Sequence, residues 1–119
     1  MLGVEPASQE LIGAVAQRRS IVWATPGSEE ERLLNYFGAE ASVSSNQLGE
    51  QGMSIILKPN PSKPAVLEEF LHGTQHRLGL PDQFGTEWSE VHVKSFMLRH
   101  QDMLGIGSED ASILRTLLL

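Results

Sequence analysis

Val66-Leu67-Glu68-Glu69-Phe70-Leu71-His72-Gly73-Thr74-Gln75-His76-Arg77 is the stretch on which the reading of this chain turns. Glu68, His72 and His76 follow one another at intervals of four, so in a helix they form a single column. The run before it, Met53-Ser54-Ile55-Ile56-Leu57, is short and β-branched and reads as a strand. Pro59-Asn60-Pro61-Ser62-Lys63-Pro64 cannot extend that strand, because proline removes ladder donors. Ser62 is placed to cap a helix that carries the column and ends near Gly79. On its wheel, Leu67, Phe70, Leu71, Thr74 and Leu78 make an apolar stripe. Glu68, Glu69, His72, Gln75 and His76 crowd the adjoining face.

Outward from that helix the pattern alternates. Residues 7–18 place Leu11 with Val15 and Ile12 with Ala16, which predicts an amphipathic helix. Ser20-Ile21-Val22-Trp23-Ala24-Thr25 reads as a strand closed by Pro26-Gly27. Ser28 and Glu31 have the spacing of a capping box, and the helix they open should run to Phe37, with Gly38 in the left-handed position. Residues 39–52 read as a loop with a short strand at Ala41-Ser42-Val43. Pro81 to Gly85 reads as a turn, Glu87 to Leu104 as one long helix, and a short helix follows Ser108, with Gly105-Ile106-Gly107 as the terminator between them. The expected fold is a small single α+β domain over residues 1–119, a short mixed sheet packed against amphipathic helices. Trp23 and Trp88 are expected in the core or at its rim, and Leu114, Leu117, Leu118 and Leu119 in the core or a dimer contact.

Composition narrows the function classes. The chain has 119 residues, 40% apolar and 20% charged, as in ordinary globular domains. Its net charge of −6 and nine scattered basic residues argue against a generic grip on nucleic acid. Without cysteine there is no thiolate metal site and no disulfide. No apolar run approaches the roughly 20 residues of a bilayer helix, and the first residues lack signal-peptide character. These features predict a soluble chain without membrane partners, cytoplasmic or delivered inside a larger secreted protein.

The later helix places Val93, Met97, His100 and Leu104 on one stripe, with Glu90 one turn earlier on the same stripe. An inward carboxylate needs a cation, a donor or a metal. Glu90 therefore joins Glu68 and His72 as a candidate ligand. Glu90 also suits a first helical turn or a pair with Lys94, and Glu–His pairs at four-residue spacing occur on ordinary helix surfaces.

The order strand, turn, motif helix, loop, helix over Met53 to Leu104 resembles the minimal zincin-like metallopeptidase fold. Its motif is H-E-x-x-H, and Glu68-Glu69-Phe70-Leu71-His72 is similar to it, with glutamate in the first histidine position. The resemblance implies metal ligands Glu68, His72 and Glu90, a general base Glu69, and a divalent metal, zinc foremost. A further anionic ligand makes the metal a weaker Lewis acid and favours harder ions. His76 or His92 is assigned to steadying the oxyanion. The string Leu67 to Gln75 is also similar to E-E-x-x-H-x-x-Q segments in C-terminal modules of bacterial polymorphic toxins. That likeness implies a protein or peptide substrate and an immunity protein as partner. Two other readings use the same residues without metal. One is a ribonuclease-like toxin site built on His72, Thr74, Gln75, His76, Arg77 and His100. The other is a non-catalytic binding module that keeps Glu68 and His72 as a buried pair.

Overall fold

The structure, a computed structural model, describes residues 3–45 and 53–119. The first helix, α1 (Gln9–Ala16), starts at Ser8, whose hydroxyl accepts from the Leu11 amide. Strand β1 (Ser20–Trp23) leads to α2 (Glu29–Phe37), where Ser28 Oγ accepts from the Glu31 amide at 3.1 Å. The expected capping box is modified. Glu31 reaches back to the amide of Gly27, at 3.0 Å, because the Ser28 amide already donates to the Thr25 carbonyl. Gly38 ends the helix at φ +64°, a conformation that glycine adopts without strain.

Two strands follow, β2 (Ala41–Ser45) and β3 (Met53–Leu57). The short strand expected at Ala41 is longer than its sequence suggests, because it pairs antiparallel along the whole of β3. The remainder of the expected loop, residues 46–52, lies outside the described residues. β1 pairs parallel with the other edge of β3, so the sheet is mixed, in the order β1-β3-β2. Ile55 and Leu57 face one side, with Val15, Ala65 and Val66. Ile56 faces the other, with Ala24 and Leu34. Both faces of β3 are covered, which is why it reads as a near-continuous apolar run.

Helix α3 (Lys63–Arg77) is the centre of the molecule. The Ser62 hydroxyl accepts from the Ala65 amide at 3.3 Å and donates to Glu40 at 2.8 Å. One flank of α3, Ala65 and Val66, lies on the sheet. Another, at Leu67, meets the cluster of Val93, Met97, Ile106, Ala111 and Leu114. A helix packed on two sides buries more than one stripe. Glu68, His72 and Gln75 are accordingly buried, while Leu78, expected in the apolar stripe, is 67% exposed beyond the helix end.

After Gly79 the chain departs from expectation twice. Pro81 to Gly85 is not a plain turn but contributes to α4 (Leu80–Phe84), since proline suits a first helical turn. The long helix is broken in two, α5 (Thr86–Arg99) and α6 (Gln101–Leu104), with His100 between them in a non-helical conformation. The last helix is α7 (Ser108–Leu117). Its cap position is Gly107 rather than Ser108, and no side chain caps it. Asp110 is buried and accepts from the amides of Val4 and Glu5, at 2.7 and 3.0 Å, which ties the N-terminal segment to α7. Leu114 closes the core, whereas Leu117 and Leu119 are exposed. Trp23 and Trp88 lie at the rim. The result is an α+β domain with a Cα radius of gyration of 13.7 Å, close to the roughly 13–14 Å of a single globule this long. Among the described residues, no helix is long and apolar enough to cross a membrane.

Candidate metal centre

Three side chains from two helices converge beside Leu67. Glu68 and His72 come from α3, and Glu90 comes from the first turns of α5. One ligand-type atom from each lies within 4.8 Å of the other two. His72 Nε2 is 3.7 Å from Glu68 Oε1 and 3.5 Å from Glu90 Oε1, separations of ion pairs rather than of formed hydrogen bonds. Two buried atoms at this point have no hydrogen-bond partner among the described residues, His72 Nε2 and Glu68 Oε2. Both residues are more than nine-tenths buried, and unsatisfied polar atoms in such positions are rare and costly.

The orientation of His72 is fixed by a residue outside the predicted ligand set. Gln75, one turn further on, places Oε1 2.9 Å from His72 Nδ1. Its Nε2 lies 3.2 Å from the Ser89 carbonyl and 2.9 Å from His92 Nδ1. A carbonyl can only accept, so the amide nitrogen faces Ser89 and its oxygen faces His72. It follows that His72 carries a proton on Nδ1 and turns Nε2 toward the two carboxylates. A hydrogen bond on the far nitrogen is the usual support for a metal-ligating histidine. Only the three-residue spacing His72–Gln75 hinted at this in the sequence.

A fourth group faces the cluster. Lys94, one turn after Glu90 on α5, places Nζ 2.7 Å from Glu90 Oε2 and 3.7 Å from Glu68 Oε1. The side chain is 11% exposed, against 46% for Glu90. The sequence offers Lys94 only as a neighbour of Glu90 on the same helix; its contact with Glu68 comes from helix packing.

These contacts set the charges. Burial alone would lower His72, but the proximity of Glu68 and Glu90 overrides it and pushes the imidazole up to about 10. The His72 contact holds Glu90 down at about 2, against its burial and with help from Lys94. Burial opposes ionisation of Glu68 as well, yet His72 and Lys94 keep its carboxyl below the ordinary range. Burial works against the charge on Lys94, and Glu90 and Glu68 hold its pKa above that of a free lysine. Glu69 goes the other way. Burial, together with the Glu68 charge and against the pull of His72, pushes it up to about 7, a value suited to proton transfer near neutral pH.

The other predicted residues lie elsewhere. His76 is exposed near the end of α3 and makes no side-chain hydrogen bond or ion pair among the described residues. His92 bonds to Gln75 and stacks on Trp88, with ring centroids 4.5 Å apart. Of the residues named for a ribonuclease-like site, Gln75 alone bonds to His72. Thr74 bonds to Arg19, His76 and Arg77 are exposed, and His100 packs on Phe96. Arg19 is buried over the Phe70 ring and is no part of a surface phosphate patch. A cavity of about 260 Å³ opens behind the Gln75–His92 pair, walled by Leu71, Leu78, Leu80, Val93 and Phe96. Compared with protein-family models, curated proteins and solved structures, the chain has no match.

Proposed function

We propose that this chain is a divalent-metal-dependent hydrolase acting on a peptide-type bond, with Glu68, His72 and Glu90 as ligands and Glu69 as general base. The single observation that carries the reading is the pair of buried atoms without a hydrogen-bond partner among the described residues, His72 Nε2 and Glu68 Oε2, beside a third ligand-type oxygen. Glu68, His72 and Glu90 would hold the divalent ion, one ligand-type atom of each already lying within 4.8 Å of the other two. One imidazole and two carboxylates suit zinc and, through the second carboxylate, manganese or another harder ion. Such an ion supplies Lewis acidity toward a carbonyl oxygen.

The residues supply the remaining chemistry. Glu69, ionised above about pH 7, takes a proton from the attacking water and returns it to the leaving amine. Gln75 keeps the Nδ1 proton of His72 out of the reaction and its Nε2 on the ligand side. The apolar cavity lies on the far side of Gln75 and His92, and its walls include none of the three ligands. An oxyanion role for His76 requires substrate to reach the exposed rim of α3. The biological setting proposed with this activity is a toxin-associated module held by an immunity protein, and it rests on the sequence resemblance.

The test is metal content by mass spectrometry of the purified chain beside His72→Ala. Near-stoichiometric zinc, manganese or iron, lost in the variant, is the expected result. Absence of any ion from both proteins after zinc addition would overturn the reading. A metal-free scaffold is the second reading, favoured by the direct Lys94–Glu90 bond, which already gives one carboxylate a counter-charge.

A further inference from the structure

We propose that Lys94 is a displaceable internal cation: its ammonium holds Glu68 and Glu90 together in the metal-free protein and must leave them when a divalent ion enters. This role depends on the metal assignment above and goes beyond it by giving the site two mutually exclusive occupants. The geometry is specific. Nζ lies 2.7 Å from Glu90 Oε2 and 3.7 Å from Glu68 Oε1, and both carboxylates belong to the ligand set. Among the described residues, Lys94 has no other side-chain or backbone acceptor for its ammonium.

Burial distinguishes this lysine from an ordinary surface partner. Glu90 is about half exposed, while the lysine beside it is almost covered. Lysine is rarely buried unless paired. The chain has thus directed a cation inward, where it bonds Glu90 on its own helix and reaches across to Glu68 on α3. An ammonium and a divalent ion repel strongly at the few ångströms that separate positions in this cluster. The four-carbon stem of lysine is flexible, and its partner Glu90 is about half exposed to solvent. In the closed state, Lys94 compensates two carboxylates that would otherwise repel each other. In the open state the ion takes over that task. Lys94 is then a positioning residue that sets how readily the site loads.

The experiment compares zinc and manganese affinities of the full chain, by competition titration, for wild type, Lys94→Met and Lys94→Arg. Lys94→Met should bind roughly tenfold tighter or more, since a fixed positive charge no longer competes. It should also melt lower than wild type in EDTA and recover when zinc is added. Lys94→Arg keeps the charge and should gain no affinity. A wild type that takes no ion would overturn this proposal together with the metal reading, even where Lys94→Met binds one. Wild-type binding unchanged or weakened in Lys94→Met would overturn it and leave the metal reading standing. No ion on any of the three would overturn both. Should Lys94→Met not fold, amine acylation of wild type mapped by mass spectrometry decides the matter. Lys94 should be protected in EDTA and become reactive at saturating zinc; protection in both states would overturn the proposal.

Discussion

Gln75 and Glu69 show how much of this site lives in single residues. Gln75 satisfies three groups at once, His72 Nδ1, the Ser89 carbonyl and His92 Nδ1. Gln75→Leu should leave all three short of a partner, costing about 1–3 kcal/mol in urea unfolding, and should weaken metal affinity about 10–100-fold, as loss of a supporting contact does. Glu69 has a folded-state pKa raised from 4.5 to about 7, so the folded chain binds more protons than the unfolded one between those values. Stability contributed there is lost as pH rises from about 4.5 through 7. In EDTA, Glu69→Gln should match wild type below pH 4.5 and exceed it above pH 7, by about 1–3 kcal/mol, a range kept below full conversion because solvent reaches part of the carboxylate. Equal stabilities at pH 8 would show that Glu69 is not held in the disfavoured state. His72 has the same sign in a higher pH window. Its stabilisation is complete below pH 6.5 and fades as pH rises through about 10. A metal must displace its proton, so affinity should climb roughly tenfold per pH unit between 6 and 8. A flat profile in pH-stepped titrations would exclude His72 as a ligand.

The elements follow local rules wherever those rules act alone. Ser28 and Ser62 each open a helix with the expected side-chain bond, and Ser8 does the same at a position not read as a cap. Gly38 ends one as its sequence predicts. Ser62 does more than cap, because its hydroxyl also donates to Glu40. Ser62→Ala should therefore cost about 1–2 kcal/mol, toward the upper end of cap losses, and the deficit should persist in a Glu40→Gln background only in its capping part. Local rules fail where another element intervenes. β2 is a full strand because β3 offers it a partner, and α4 forms in a segment whose Pro81 and Gly85 suggested a turn. The break at His100 separates the 14-residue α5 from the 4-residue α6, and its residues carry none of the glycine or proline that would announce it.

At the scale of the molecule, α3 is buried between the sheet and the α5–α7 layer, and this placement turns a polar helix face into a site. Filling that site should stabilise the fold: zinc at a hundred times its dissociation constant should add about 2.7 kcal/mol, seen as a rise in melting temperature absent in His72→Ala. A melting temperature indifferent to zinc would mean that the folded chain holds no ion. Leu114→Ala, a fully buried truncation in the layer that covers α3, should cost about 2–5 kcal/mol. The order of most elements, the caps at Ser28, Gly38 and Ser62 and the shared face of Glu68 and His72 were determined by the sequence alone, since spacing along a helix and turn chemistry are local properties. The approach of Glu90 was foreshadowed by its stripe on α5. Only the tertiary structure decided that Lys94 spans to Glu68, that Gln75 locks His72 against Ser89 and His92, and that His76 stays outside. Each of these depends on the rotation and separation of α3 and α5, which are set by how Leu67, Val93 and Met97 interlock, and no spacing within a single segment encodes the distance between two helices.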